Sequence, residues 1–147
     1  MDADKRRLPI DQISETILAS DFQVSNALSV GFLEKVYENA LHYELCKRGL
    51  GVEQQKAIKV RYDGVDVGEY YADLLVENQV LVELKAVKSC DEIYMAQCLN
   101  YLKATGMKMC LLLNFAKPKI DIKRIVHNLY FNNFNLICVH PRPSAVP

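Results

Sequence analysis

Apolar residues recur through the first third of the chain at helical spacing. From Ile10 to about Leu28 they fall at Ile13, Ile17, Leu18 and Val24, which predicts one helix. Ser29-Val30-Gly31 interrupts it. A second periodic stretch runs from about Phe32 to Arg48, with Leu33, Val36, Tyr37, Ala40, Leu41 and Leu45 on its stripe and Gly49 as a C-terminal stop. The period then drops to two. Ala57, Ile58, Val60 and Tyr62 lead to the hairpin signal Asp63-Gly64, and Val65, Val67 and Tyr70 begin a return strand that continues to Val76. After a turn near Asn78-Gln79, Val80 to Val87 reads as a third strand. Asp91 to Thr105 is helical again, with Ile93, Ala96, Leu99, Tyr101 and Leu102 expected to face inward and Gly106 closing it. Met107 to Phe115 is almost wholly apolar, as a strand covered on both faces must be. Ile122 to Val126 and Asn135 to Val139 are weaker strand candidates.

A meander followed by a helical crossover implies an α/β fold with a mixed central sheet flanked by helices. The 147 residues make a single domain, with its core expected at about 10–126 and the Pro-rich 140–147 expected to be a flexible tail. Half the residues are apolar and 24% are charged, which excludes intrinsic disorder. The opening MDADKRRLPI lacks the apolar segment of a secretory signal, and no apolar run approaches a membrane span. The five cysteines, Cys46, Cys90, Cys98, Cys110 and Cys138, include no CxxC pair. Reduced thiols in a cytoplasmic protein are therefore the expectation.

The formal charge is zero, which argues against a protein whose whole surface attracts nucleic acid. The sum conceals a division: residues 1–50 carry −2, residues 51–100 carry −4, and residues 101–147 carry +6. An acidic centre and a basic flank, including Lys103, Lys108, Lys117, Lys119, Lys123 and Arg124, cancel in the total. A cation site with a phosphate-facing rim has this charge pattern.

The acidic centre holds the most informative stretch, Asp73 followed by Glu83-Leu84-Lys85. In a strand, Leu81, Glu83 and Lys85 share one face while Val82, Leu84 and Ala86 share the other. Two flanking strands and a crossover make this strand internal, and unpaired charges there cost several kcal/mol. A two-residue turn at Asn78-Gln79 would set Asp73 opposite Leu84. A three-residue turn, Glu77 to Gln79, or a nearby bulge would set it opposite Glu83. With that register, two carboxylates beside a lysine would suit a hard cation such as Mg²⁺ with several retained waters. Glu34, three residues before Tyr37 at the start of the second helix, reads by itself as a helix-dipole partner in preference to a site residue. Gln97 and Tyr101, four residues apart on the third helix, read equally as an ordinary polar flank.

Taken together these segments resemble a known family. Gly31-Phe32-Leu33-Glu34-Lys35-Val36-Tyr37, Tyr71-Ala72-Asp73-Leu74-Leu75-Val76, Val82-Glu83-Leu84-Lys85-Ala86 and Gln97-Cys98-Leu99-Asn100-Tyr101-Leu102 are similar, in order and spacing, to the GxxExxY proteins of the PD-(D/E)XK nuclease superfamily. The similarity runs from about Ile10 to Val126. The chain departs from the pattern at Ser25, where members usually carry His, at Tyr71, where they often carry Arg, and at Ser29-Val30-Gly31, where the turn is usually richer in glycine.

The resemblance implies a restriction-endonuclease-like αβββαβ core with an extra N-terminal helix. It implies Asp73 and Glu83 as metal ligands joined by Glu34, Lys85 as the group that orients or activates water, and Gln97 as an assisting residue. Tyr37, Tyr101, Lys123 and Arg124 are expected to contact substrate. The implied activity is Mg²⁺-dependent hydrolysis of nucleic acid, with DNA as substrate and Mn²⁺ able to substitute, in a bacterial or archaeal cytoplasm. A chain this small has little surface for gripping a duplex, which suggests a homodimer or a partner protein; Tyr130, Phe131 and Phe134 read equally as part of such an interface or as ordinary core. Two other readings stay open: a noncatalytic nuclease-fold module that binds nucleic acid or protein, and a Glu83–Lys85 pair on a wet face.

Overall fold

The computed structural model describes residues 7–88 and 92–127. Helix α1, Ile10–Leu28, follows Pro9, and its buried Ser14 and Ser20 hydroxyls donate back to the Asp11 and Thr16 carbonyls. The turn at Ser29, with φ 60°, leads to α2, Glu34–Lys47. Gly49, at φ +92°, ends that helix as the Leu50 N–H returns to the Leu45 carbonyl at 3.1 Å. Five strands follow: β1 Val52–Tyr62, β2 Val65–Val76, β3 Val80–Lys85, then α3 Glu92–Thr105, β4 Met109–Asn114 and β5 Asp121–Val126.

The sheet order is β1-β2-β3-β4-β5, with β3 and β4 parallel through the α3 crossover and every other pair antiparallel. Ile13, Ile17, Tyr37, Leu41 and Leu45 of α1 and α2 pack on Leu74, Val76, Val82, Leu84, Leu111 and Leu113 of one sheet face. Cys98, Tyr101 and Leu102 of α3 pack on Leu75, Leu81, Cys110 and Leu112 of the other. Covered on both sides, β4 is buried at every position, which is why its sequence does not alternate. Among the described residues no helix is long and apolar enough to cross a membrane. Cys98 and Cys110 are buried free thiols and Cys46 is an exposed one.

Two expected helix faces are rotated. Ile93 is 70% exposed and Ala96 is also exposed, because α3 meets the sheet through Cys98, Leu99, Tyr101 and Leu102. On α2, Leu33 and Val36 are exposed, while Glu38 and Glu44 join Tyr37, Leu41 and Leu45 on the buried side. The proposed strand Asn135–Val139, the aromatics Tyr130, Phe131 and Phe134, and Cys90 and Cys138 lie outside the described residues.

The strands differ in length, and this shapes the site. Strands β1 and β2 have 11 and 12 residues, whereas β3 has only 6. The β2–β3 ladder covers only Leu74↔Val82, Leu75↔Leu81 and Val76↔Val80. Beyond it, β1 and β2 run on as a two-stranded arm to the Asp63-Gly64 turn, where both residues have positive φ, the geometry of a tight primed hairpin.

Candidate active site

The turn between β2 and β3 has three residues, Glu77 to Gln79, with Glu77 and Asn78 both at left-handed φ. Continuing that register by one residue sets Asp73 opposite Glu83, and there side chains replace the ladder. Asp73 N–H donates to Glu83 Oε1 at 3.3 Å, and Leu84 N–H donates to Asp73 Oδ2 at 2.8 Å. The two carboxylates thus clasp the fork where β2 parts from β3. Ala72 packs toward α3 while Leu74 packs toward α1 and α2. In a regular strand these two would share a face, so the pleat breaks at Asp73.

The break has a counterpart in β1. Gln55, at φ 54°, drops out of the ladder between Gln54↔Leu74 and Lys56↔Ala72. Its Nε2 donates to Asp73 Oδ1 at 3.2 Å and to both oxygens of Glu38 at 3.1 Å. Glu38, only 4% exposed on α2, also accepts from Gln54 Nε2 at 2.9 Å and pairs with Lys35 at 3.2 Å.

Lys85 sits beyond Glu83 on the same face, its ammonium 3.9 Å from Glu83 Oε2 and 4.8 Å from the centre of the Tyr94 ring. The loop after β3 is fixed by two side chains. Glu34 Oε2 accepts from Ala86 N–H at 3.1 Å. Asn114, fully buried, exchanges two hydrogen bonds with the Val87 backbone and accepts a third from Ala116 N–H. From α3, Gln97 Nε2 donates to the Tyr101 hydroxyl at 2.8 Å.

Electrostatically the fork lacks positive charge. Burial, then the neighbouring Asp73 charge, pushes the Glu83 carboxyl up to about 8 against the opposing pull of Lys85. Asp73 is also raised, first by burial and then by Glu38, despite its bond from Leu84. Burial and the Glu83 charge raise the Tyr101 hydroxyl, which keeps it a neutral donor. Among the described residues no three His, Cys, Asp or Glu side chains form a ready ligand cluster. The donors near one another are two carboxylates, all hard oxygen, and they fit a divalent cation that keeps several waters.

A family model described as the PD-(D/E)XK nuclease superfamily matches residues 11–125. The chain belongs to that superfamily. Glu83-Leu84-Lys85 spells the (D/E)XK of the name, while Asp73 follows Ala72 where the name has proline. No curated protein matches. Three chains of solved structures match. One, the crystal structure of SSO0001, has 14% sequence identity and a TM-score of 0.48, covering 76% of this chain and 60% of that one. The chain therefore spans less than two thirds of that structure's length.

Placed on this nuclease-superfamily fold, the sequence-derived residues divide. Asp73, Glu83 and Lys85 gather at the fork, with Gln97 and Tyr101 on the covering helix, while Glu34 stands at the loop after β3, bonded to Ala86 N–H, and completes no three-acid cluster with the pair among the described residues. Tyr37 does not join them. It is 0% exposed, its ring stacks on Phe115 at 4.4 Å, and its hydroxyl donates to the Ser29 carbonyl at 2.6 Å and accepts from Phe32 N–H. It braces the turn before Glu34 and has no surface to offer a substrate. Arg124 lies opposite Leu111 on the α1 side of the sheet and pairs with Asp11, away from Glu83. Lys123, in the row Glu83↔Leu112↔Lys123, shares the face of Glu83 two strands away and pairs with Asp121. Glu38, Gln55 and Asn114 are the polar residues around the fork that pattern reading missed. The one signal available was a glutamate beside Tyr37 on the buried helix side.

Proposed function

We propose that this chain hydrolyses phosphodiester bonds in nucleic acid, with DNA as substrate, using Mg²⁺ or Mn²⁺ held by Asp73 and Glu83. The observation that supports this most is the carboxylate pair at the strand fork, Glu83 buried and Asp73 partly so, with a lysine beside it and too little positive charge to balance it. The cation would stabilise charge on the phosphate and lower the pKa of a bound water. Lys85, held near Glu83 and Tyr94, supplies a second positive charge to the developing phosphorane and orients the attacking water. Gln97 and Tyr101 present polar groups from the opposite wall, and Glu34 steadies the loop after Lys85 through Ala86 while remaining an additional acidic ligand. The residue set resembles that of the GxxExxY proteins. The free thiols of Cys98 and Cys110 suit a reducing, cytoplasmic setting.

The test is cleavage of labelled single- and double-stranded DNA by the purified protein with Mg²⁺, Mn²⁺ or EDTA. Activity that persists in both Asp73→Ala and Lys85→Ala defeats the proposal. A second reading draws on the backbone partners of both carboxylates: the clasp only fastens β2 to β3, and the domain binds nucleic acid or protein without cutting. Calorimetric Mn²⁺ titration separates the two, since a fastening role predicts no heat that Glu83→Ala removes.

A further inference from the structure

The β1–β2 arm rises over the exposed flank of α3 and leaves a groove between them. Its outer part, of about 730 Å³, is bordered by Lys59, Arg61 and Lys103 around Tyr70. An inner part of about 290 Å³ shares Tyr70 and Asn100 with it and ends at Gln97 and Tyr101. Its floor is apolar, made of Ile58, Val60, Ala96 and Ala104. Tyr70 is 51% exposed and lies 6.1 Å from Tyr101, ring centre to ring centre.

Three cations border the groove against two carboxylates on the arm: Asp66 pairs with Arg61 at 2.8 Å and Lys59 at 3.8 Å, and Glu69 stands directly across from Lys59, which leaves one positive charge in excess. The remaining excess of positive charge favours a polyanion. A duplex presents phosphates outward and hides its bases, so an apolar floor and a half-exposed tyrosine ring would gain little from it. An unpaired strand presents both phosphates and base faces, and base–aromatic stacking does not depend on sequence. The inner end of the groove reaches Gln97 and Tyr101, joined by a 2.8 Å hydrogen bond, and Tyr101 packs with Leu81 of β3, two residues before Glu83 on the same face.

We propose that this groove binds an unpaired nucleic-acid strand, with Tyr70 stacking on a base and Lys59, Arg61 and Lys103 meeting phosphates, and leads it past Gln97 and Tyr101 to the fork. The substrate class is thereby single-stranded ends or flaps rather than intact duplex. This rests on the nuclease reading for its purpose but not for its measurement.

The experiment is fluorescence anisotropy of the full chain in EDTA, with a labelled oligothymidylate and a blunt duplex of equal length. The single strand is expected to bind at least ten-fold tighter. Tyr70→Ala should weaken it by about 5- to 100-fold while Tyr70→Phe retains it. Lys103→Ala should lower the slope of log affinity against log salt by about 0.7. Circular dichroism melting confirms that each variant folds. Equal affinity for both ligands, or binding indifferent to Tyr70→Ala, overturns the proposal. So does a concentration-dependent dimer in sedimentation that Tyr70→Ala dissociates, since a second copy then fills the groove. Binding that follows this pattern without any cleavage in Mg²⁺ sinks the nuclease reading alone. Cleavage with binding indifferent to Tyr70 sinks the groove alone.

Discussion

The side-chain amide of Gln55 serves two acids at once, reaching Asp73 Oδ1 at 3.2 Å and both Glu38 oxygens at 3.1 Å. Because Glu38 is buried and held by Lys35 and Gln54 as well, the amide is pinned from behind and its remaining N–H is aimed at Asp73. Gln55→Ala is expected to leave Tm nearly unchanged but to weaken the divalent cation by about ten-fold, as loss of an outer partner of a ligand usually does. Glu38→Gln should weaken it as well. The measurement is cleavage rate against Mg²⁺ concentration, and a metal dependence that neither variant shifts would refute the positioning role.

Asp73 and Glu83 place like charges in a buried fork, so removing one charge relieves the fold while harming the site. Glu83→Gln is expected to abolish metal-dependent cleavage and to raise the Tm of the metal-free protein by about 4 °C, roughly 1–2 kcal/mol. Wild-type protein should recover that difference on saturation with Mg²⁺, because a ligand that binds only the folded state adds stability. Thermal scans with and without Mg²⁺ check both statements, and a Glu83→Gln protein that melts lower than wild type contradicts them.

Tyr37 shows how a residue inside a recognisable motif can serve the core. Tyr37→Phe keeps the stack on Phe115 but leaves the Ser29 carbonyl and Phe32 N–H without their partner, which costs about 1–2 kcal/mol. Tyr37→Ala removes the ring as well and is expected to cost about 3–5 kcal/mol. Below the melting transition, Tyr37→Phe should bind and cut with unchanged affinity for nucleic acid. A large loss of affinity in a folded Tyr37→Phe protein would restore the substrate-contact role.

The parts of the site legible in the sequence were those governed by local periodicity. Strand parity showed that Asp73 meets Glu83 only if the turn is Glu77 to Gln79 or a bulge lies nearby, and the turn has those three residues. Parity also bears on Lys123 and Arg124: as neighbours on one strand they point to opposite faces, and only Lys123 shares the face of Glu83. Glu38 and Gln55 were not legible because their contact depends on the left-handed kink at Gln55, where β1 meets α2 from a distant part of the chain. On α3, Leu99, Tyr101 and Leu102 are buried as expected, but Ile93 and Ala96 are exposed for a related reason. The buried stripe follows from how the helix lies on β3 and β4, and nothing in the apolar character of Ile93 distinguishes it from the residues that are buried.

Asp21 on α1 is 0% exposed, and neither of its carboxylate oxygens has a hydrogen-bond partner. Burial pushes its carboxyl from the ordinary 3.8 up to about 8. A raised carboxyl pKa means that the folded state holds its proton more tightly than the unfolded chain does. The resulting stability is fully present below pH 3.8, declines as pH rises toward 8, and is gone above it. Asp21→Asn mimics the protonated acid and cannot ionise. Its Tm should match wild type near pH 4 and exceed it by several degrees at pH 9, with the gap opening steadily between. Paired thermal melts from pH 4 to pH 9 measure this directly, and a gap that stays constant with pH would show that Asp21 does not carry the effect.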